Sequence, residues 1–268
     1  MLITVSDTHI GLRYGTGCEM KQFELVSDLH LDFYGEVEAC DIINSWTAQT
    51  PTLVIAGDLC EMRHFNPAWI HTMKRKWNDI VYVPGNHDYY GRSLDPNVLD
   101  ALRFDCHVLT RNRLAVNGIV FAGATLWFPH PLRNRKYERL VSDFSMIGPY
   151  GGIDFYEDVE NENRKDHDFF HWIRADVWVT HHLPFAQSIH PKYAGAQSNL
   201  FFHGAMEEVL NDCERAPQVV VHGHTHESVE YSIDLPRGFG SRKLPVHCNP
   251  MGYPGERYGE YKPKLIEF

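Results

Sequence analysis

No apolar run in this chain approaches the roughly 20 residues that a membrane-spanning helix needs. The first residues, Met1-Leu2-Ile3-Thr4-Val5-Ser6-Asp7, lack the basic segment and long apolar stretch of a secretory leader, so a cytoplasmic protein is expected. The six cysteines (Cys18, Cys40, Cys60, Cys106, Cys213 and Cys248) are dispersed, with no C-x-x-C pair. That argues against a disulfide framework and a closed, cysteine-rich zinc cage. Positive charge is also short: 25 Lys and Arg stand against 35 Asp and Glu, a formal net charge of −10. Phosphate backbones are gripped mainly by Lys and Arg, so duplex nucleic acid is not an expected partner. A small phosphorylated substrate stays open, because bound cations would reverse the sign locally. Nothing in the sequence sets the oligomeric state.

What the chain has is apolar residues enough for a core, 43% of 268, and 17 histidines. Short β-branched runs at Phe23–Ser27, Thr52–Ala56, Ile80–Val83, Val177–Thr180 and Val219–His222 predict strands buried on both faces. Helices are predicted for Pro67–Trp77, capped by Asn66, and for Asn163–Arg174 and Leu200–Leu210. Strand and helix alternate, which indicates an α/β protein. Asn117-Gly118 between alternating apolar residues predicts a hairpin over Leu114–Ala122. The aromatic stretch Asp143–Tyr156 reads as core or as a cap, and the charge run Glu157–Lys165 as a solvated face.

Each predicted strand ends in residues that ligate metals. In order they are Asp28-Leu29-His30, Gly57-Asp58, Gly85-Asn86-His87-Asp88, Thr180-His181-His182 and Gly223-His224-Thr225-His226. Carboxylate, imidazole and amide together suit a pair of divalent cations better than one structural zinc. Alternate residues of an extended chain point the same way, so Asp28 and His30 can reach one ion, while His224 and His226, which alternate likewise, can serve the two ions separately. Asp58 has two oxygens and can bridge two ions. Gly57 permits close backbone approach. Asn86 offers a carbonyl oxygen, and the adjacent His87 is better placed toward substrate. Single histidines such as His64, His71, His107, His167 and His171 read as surface or capped residues, and His222 as a buried strand end.

Val5-Ser6-Asp7-Thr8-His9 duplicates the first motif. Asp28 lies 30 positions before Asp58, and Asp58 lies 28 before Asn86, near-regular strand–helix steps that favour Asp28 and His30 as the working copy. The Asp7 segment reads as an added edge strand, a disordered extension or an upstream start.

Together, D-x-H, G-D, G-N-H-D, H-H and G-H-x-H in this order resemble the calcineurin-like metallophosphoesterase superfamily. The resemblance implies a four-layer α/β/β/α sandwich, with residues 21–268 as one metallophosphoesterase domain and 1–20 as an extension or edge strand. It implies two divalent ions, with Mn²⁺, Fe and Zn²⁺ all compatible. One would be held by Asp28, His30, Asp58 and His226, the other by Asp58, Asn86, His181 and His224; His181 is preferred over His182. His87 matches the family's histidine that contacts phosphate and can protonate the leaving oxygen, and Glu61 matches an acidic position that in some members orients it. The segment Thr180–Asn199, with Cys248-Asn249-Pro250-Met251-Gly252-Tyr253, resembles a bacterial and phage subgroup; His190 and Tyr193 would line the substrate side. The implied activity is hydrolysis of phosphomonoesters or phosphodiesters, in which two cations about 3.5–4 Å apart hold a bridging hydroxide. The competing reading is a non-catalytic metal-binding scaffold on the same fold.

Overall fold

A computed structural model describes residues 20–235, 238, 240–256 and 260–268; the Asp7-Thr8-His9 copy lies outside them. The elements in chain order are β1 (Gln22–Val26), α1 (Glu36–Ser45), β2 (Thr52–Ala56), α2 (Pro67–Lys74), β3 (Asp79–Val83), β4 (His107–Val108), β5 (Asn112–Val116), β6 (Ile119–Gly123), α3 (Asp143–Met146), α4 (Phe155–Trp172), β7 (Val177–Val179), α5 (Met206–Asp212), β8 (Val219–His222), β9 (Val229–Asp234), β10 (Lys243–Cys248) and β11 (Lys264–Glu267). They form two sheets, ordered β11-β1-β2-β3-β4 and β5-β6-β7-β8-β10-β9. Strands β1, β2 and β3 run parallel, as do β6, β7 and β8.

The continuous apolar runs are explained by what covers each face. In β2, Leu53 and Ile55 point toward α1 and α2, where they meet Ile43, Trp69, Ile70 and Met73. Their neighbours Val54 and Ala56 point the other way, into a layer shared with Phe121, Val177, Val179, Val219 and Val221 of the second sheet. The outer face of that sheet, with Trp178, Val220 and Val246, is covered by Phe170 of α4 and Met206, Val209 and Leu210 of α5. The result is the four-layer α/β/β/α sandwich. Fully burying each such aliphatic side chain contributes about 1.5–3 kcal/mol before entropy is counted.

Several predicted elements shift. The hairpin forms at Asn117 and Gly118, both at positive φ, as a turn of the primed type requires. Helix α4 begins at Phe155, where Asp154 caps it by accepting from the Glu157 amide, rather than at Asn163. Its charge run is only partly solvated: Asp158 accepts from the Tyr150 and Gly152 amides, and Glu162 pairs with Arg111. Leu200–Leu210 is not one helix. Phe202 and Gly204 pair through their backbones with Leu183, and Ala205 takes a positive φ of 59°, so Gln197–Phe201 forms a 3-10 turn and α5 starts at Met206. Among the described residues no helix is long and apolar enough to cross a membrane.

Candidate metal centre

Parallel strands put all their carboxyl ends at one edge of a sheet, the usual place for a site in α/β architecture. The loops after β1, β2 and β3 in one sheet therefore face those after β7 and β8 in the other. Within each sheet, backbone bonds tie the neighbouring loops together: Asp28 N donates to Gly57 O at 3.0 Å, His30 N to Asp58 O at 3.1 Å, and Gly223 N to His181 O at 3.1 Å. Beyond β10, Asn249 O accepts from Ser27 N, and Gly252 N donates to Asp28 O, tying the second sheet back to the first.

The loops that carry the candidate ligands are not extended. Asp28, His30, Asp58, His224 and His226 all lie in the left-handed region, with φ of 51°, 43°, 54°, 70° and 52°. Tight turns, not the pleat of an extended chain, therefore aim the side chains of Asp-x-His and His-x-His. Each such residue costs on the order of 1 kcal/mol, a strain that persists only where surrounding bonds over-determine it. The glycines have packing roles. A Cβ on Gly57 would sit 2.1 Å from His181 Nδ1, and one on Gly85 would sit 2.0 Å from Asp58 Oδ1. Gly57 thus makes room for a histidine ring. Gly85→Ala is expected to displace Asp58, costing about 1–3 kcal/mol of stability and lowering the metal bound per chain, both measurable by thermal melting and elemental analysis.

The candidate ligand atoms gather in two groups that share Asp58 Oδ2. In the first, His30 Nε2 lies 3.1 Å from His226 Nε2, His226 Nε2 lies 3.7 Å from Asp28 Oδ1, and His30 Nε2 lies 3.9 Å from Asp58 Oδ2. In the second, His181 Nε2 lies 3.0 Å from Asn86 Oδ1, 3.1 Å from His224 Nδ1 and 3.4 Å from Asp58 Oδ2. The protons are assigned by the outer partners. His181 Nδ1 faces the Ala56 carbonyl at 3.0 Å, and His226 Nδ1 faces Glu256 Oε2 at 2.7 Å. Both partners accept, so in the neutral rings both Nδ1 atoms carry the proton and both Nε2 lone pairs point inward. Lone pairs of nitrogen, carboxylate and amide then face one another at about 3 Å, an arrangement that is repulsive until a cation neutralises it. The donor set therefore fits divalent metal. Without a cation, burial lowers the proton affinity of His181, but the adjacent Asp58 carboxylate outweighs it and raises the pKa to about 9. His182 turns away instead, against Trp127 and Phe128, and burial followed by the His181 charge lowers its pKa to about 3.

His87 sits beside both groups. Its backbone N–H donates to Asp58 Oδ1 at 2.9 Å, its ring stacks on Tyr90 at 4.1 Å, and its Nε2 meets the Tyr253 hydroxyl at 3.0 Å. Glu61 does not orient it: the Glu61 carboxylate pairs with Arg63 and makes no hydrogen bond or ion pair with His87. His190 is also misplaced, since its Nδ1 caps the following turn by accepting from Lys192 N at 3.3 Å and the ring does not line the cleft. Tyr193 does line it. That cleft has a volume of about 370 Å³ and is lined by Asp58, Asn86, His87, His224 and His226. Leu140, Ile189, Tyr193 and Phe202 add apolar and aromatic lining, with the Phe202 ring 4.4 Å from that of His224.

Five residues of the site escaped sequence reasoning. Asp88 belongs to a motif already noted; its Oδ2 accepts from Gly85 N at 2.6 Å and its Oδ1 from the Tyr82 hydroxyl, so it fixes the loop that carries Asn86. Tyr253 and Glu256 follow the Cys248–Tyr253 segment, whose resemblance to a subgroup was the available signal. Tyr90 carried none, and Asp143 only opened the stretch read as core or cap: it lies 57 residues from Asn86, yet accepts from its Nδ2 at 2.8 Å.

A family model described as calcineurin-like phosphoesterase matches residues 5–228. The chain is 24% identical over 279 residues to uncharacterized protein L509 of Acanthamoeba polyphaga mimivirus, covering 89% of this chain and 93% of that protein. Among solved structures it is similar to phosphopantetheinyl hydrolase (PptH) from Mycobacterium tuberculosis, with a TM-score of 0.61 and 15% identity over 92% of this chain and 95% of that one. A dimetal phosphatase from Danio rerio aligns at a TM-score of 0.42 and 13% identity, over 85% and 86% of the respective chains.

Proposed function

The chain belongs to the calcineurin-like phosphoesterase family, metal-dependent hydrolases of phosphoric esters, and from that premise we propose that it hydrolyses small phosphodiesters with two divalent ions. Asp28, His30, Asp58 and His226 would hold one ion, and Asp58, Asn86, His181 and His224 the other. The observation that carries this reading is the pair of inward-facing lone-pair groups with Asp58 Oδ2 in common. Mn²⁺, Fe and Zn²⁺ all accept such mixed nitrogen and oxygen donors. Bound divalent cations supply positive charge to the phosphoryl oxygens and a water acidified enough to attack phosphorus.

The chain's own groups supply the rest. His87 Nε2, at the cleft wall, would give a proton to the departing alkoxide. Tyr253 occupies that nitrogen through its hydroxyl and would yield the position to the leaving oxygen. The lining of Leu140, Ile189, Tyr193 and Phe202 suits an uncharged apolar or aromatic ester group, and a diester has a second group to place there.

p-Nitrophenyl esters that share one leaving group test this. With Mn²⁺-loaded protein, kcat/KM for p-nitrophenyl phenyl phosphate is expected to exceed that for p-nitrophenyl phosphate. Tyr193→Ala is expected to lower kcat/KM for the phenyl diester by about tenfold, the worth of one partly buried aromatic contact, and to leave p-nitrophenyl methyl phosphate unchanged. A preference for the monoester would overturn the diester assignment. Protein carrying two ions that turns over none of the three would overturn the catalytic reading altogether.

A further inference from the structure

An asparagine ligates through its oxygen alone, yet its amide can turn over and present the nitrogen with almost no change of shape. Something must therefore hold the far end. Asn86 Nδ2 donates to Asp143 Oδ1 at 2.8 Å and lies 3.3 Å from the Tyr90 hydroxyl, which itself donates to the same Asp143 oxygen at 2.7 Å. Asp143 is only 4% exposed. Oδ1 accepts from both donors whatever its sister oxygen carries, so the flipped amide would set an oxygen against an oxygen. The unflipped amide presents Oδ1 to His181 Nε2 at 3.0 Å. The same carboxylate pins Tyr90, whose ring lies 4.1 Å from that of His87 at 30° to it.

Asp143 is itself firmly placed. Ile147 N donates to Asp143 O, Gly91 N to Met146 O and Gly148 N to Arg92 O, which ties α3 to the segment that follows His87.

We propose that Asp143 is a positioning residue for both functions of the Asn86-His87 pair: it selects the ligating end of Asn86 and, through Tyr90, sets the plane of the His87 ring. This rests on the reading of Asn86 as a ligand of the second ion. Removing a partner of this kind typically weakens metal binding 10–100-fold.

Mn²⁺ titration by calorimetry tests it, on Asp143→Leu, Asp143→Asn, Tyr90→Phe, Asn86→Ala and the double variant Asn86→Ala/Asp143→Leu. Asp143→Leu is expected to weaken the second binding step about 10–100-fold and leave the first unchanged. Asp143→Asn, which keeps one accepting oxygen, is expected to retain the second step; a merely packing role would predict that leucine, of similar bulk but with no acceptor, retains it as well. Tyr90→Phe is expected to preserve both binding steps and lower kcat with KM held. In the double variant the loss should equal that of Asn86→Ala alone, because no amide is left to orient. Additive losses would overturn the proposal. If Asn86→Ala itself leaves both steps intact, the ligand assignment fails. If Asn86→Ala abolishes the second step and Asp143→Leu does not, the positioning role alone fails. Should Asp143→Leu not fold, Asp143→Ala takes its place in the same cycle.

Discussion

Asp58→Ala is expected to reduce bound metal from near two ions per chain to below one and to lower phosphodiester turnover by at least about 10³-fold. The magnitude follows from what the carboxylate does for both groups of ligands. Its Oδ2 lies 3.9 Å from His30 Nε2 and 3.4 Å from His181 Nε2, and no other described side chain reaches both. Several kcal/mol of charge stabilisation disappear with a bound cation, and each 1.36 kcal/mol is one decade in rate. The carboxylate also organises protein: its Oδ1 accepts the His87 amide, and its backbone amide donates toward Asp88 at 3.3 Å. A rate loss could then follow from a collapsed loop. Asp58→Asn separates the two, since the amide keeps an oxygen for the His87 N–H but carries no charge to share between cations. The expected result is a melting temperature in the metal-free state close to that of the parent, with metal binding still impaired. Full metal occupancy in either variant, by elemental analysis after gel filtration, would remove Asp58 from the centre of the scheme.

How much of this was legible in the sequence can be read from particular residues. The strand cores were, because Thr52–Ala56 and Val219–His222 are short runs holding consecutive β-branched residues, Val54-Ile55 and Val219–Val221, as strands covered on both faces do. The gathering of Asp28, His30, Asp58, Asn86, His181, His224 and His226 at one sheet edge was, because each of these motifs directly follows such a strand. The turn geometry was not. Nothing in Asp28-Leu29-His30 announces two left-handed residues, since the conformation is imposed by the Gly57 and Asp58 carbonyls that receive the Asp28 and His30 amides. Glu61 was misplaced because its neighbour Arg63 captures the carboxylate. His190 was misplaced because a histidine before Pro191 caps its own turn. Asp143 was invisible for a different reason: its role exists only once a segment remote in sequence is folded against Asn86, and local pattern holds no trace of that contact.

His87→Ala is expected to leave metal content unchanged and to lower kcat by about 10²–10⁴-fold on esters with alkyl leaving groups, the usual contribution of a positioned proton donor. On p-nitrophenyl esters the loss should be much smaller, because that leaving group departs without needing a proton. The contrast between substrates distinguishes proton donation from damage to the fold, which would slow both alike. The placement of the ring supports the role: it stacks on Tyr90, lies 4.6 Å from the His30 ring and turns Nε2 to the Tyr253 hydroxyl at the cleft wall. Tyr253→Phe empties that position and keeps the ring face packed on His30, so it should retain most activity if the hydroxyl only stands in for a leaving oxygen. A competing role is open to the same side chain, since a ring nitrogen of His87 lies within 4.8 Å of ligand atoms of His30 and Asp58, close enough for all three to hold a cation. The two roles make opposite predictions for metal analysis. An imidazole that ligates takes its ion with it when truncated, whereas one that donates a proton leaves both ions behind and a rate that depends steeply on the leaving-group pKa.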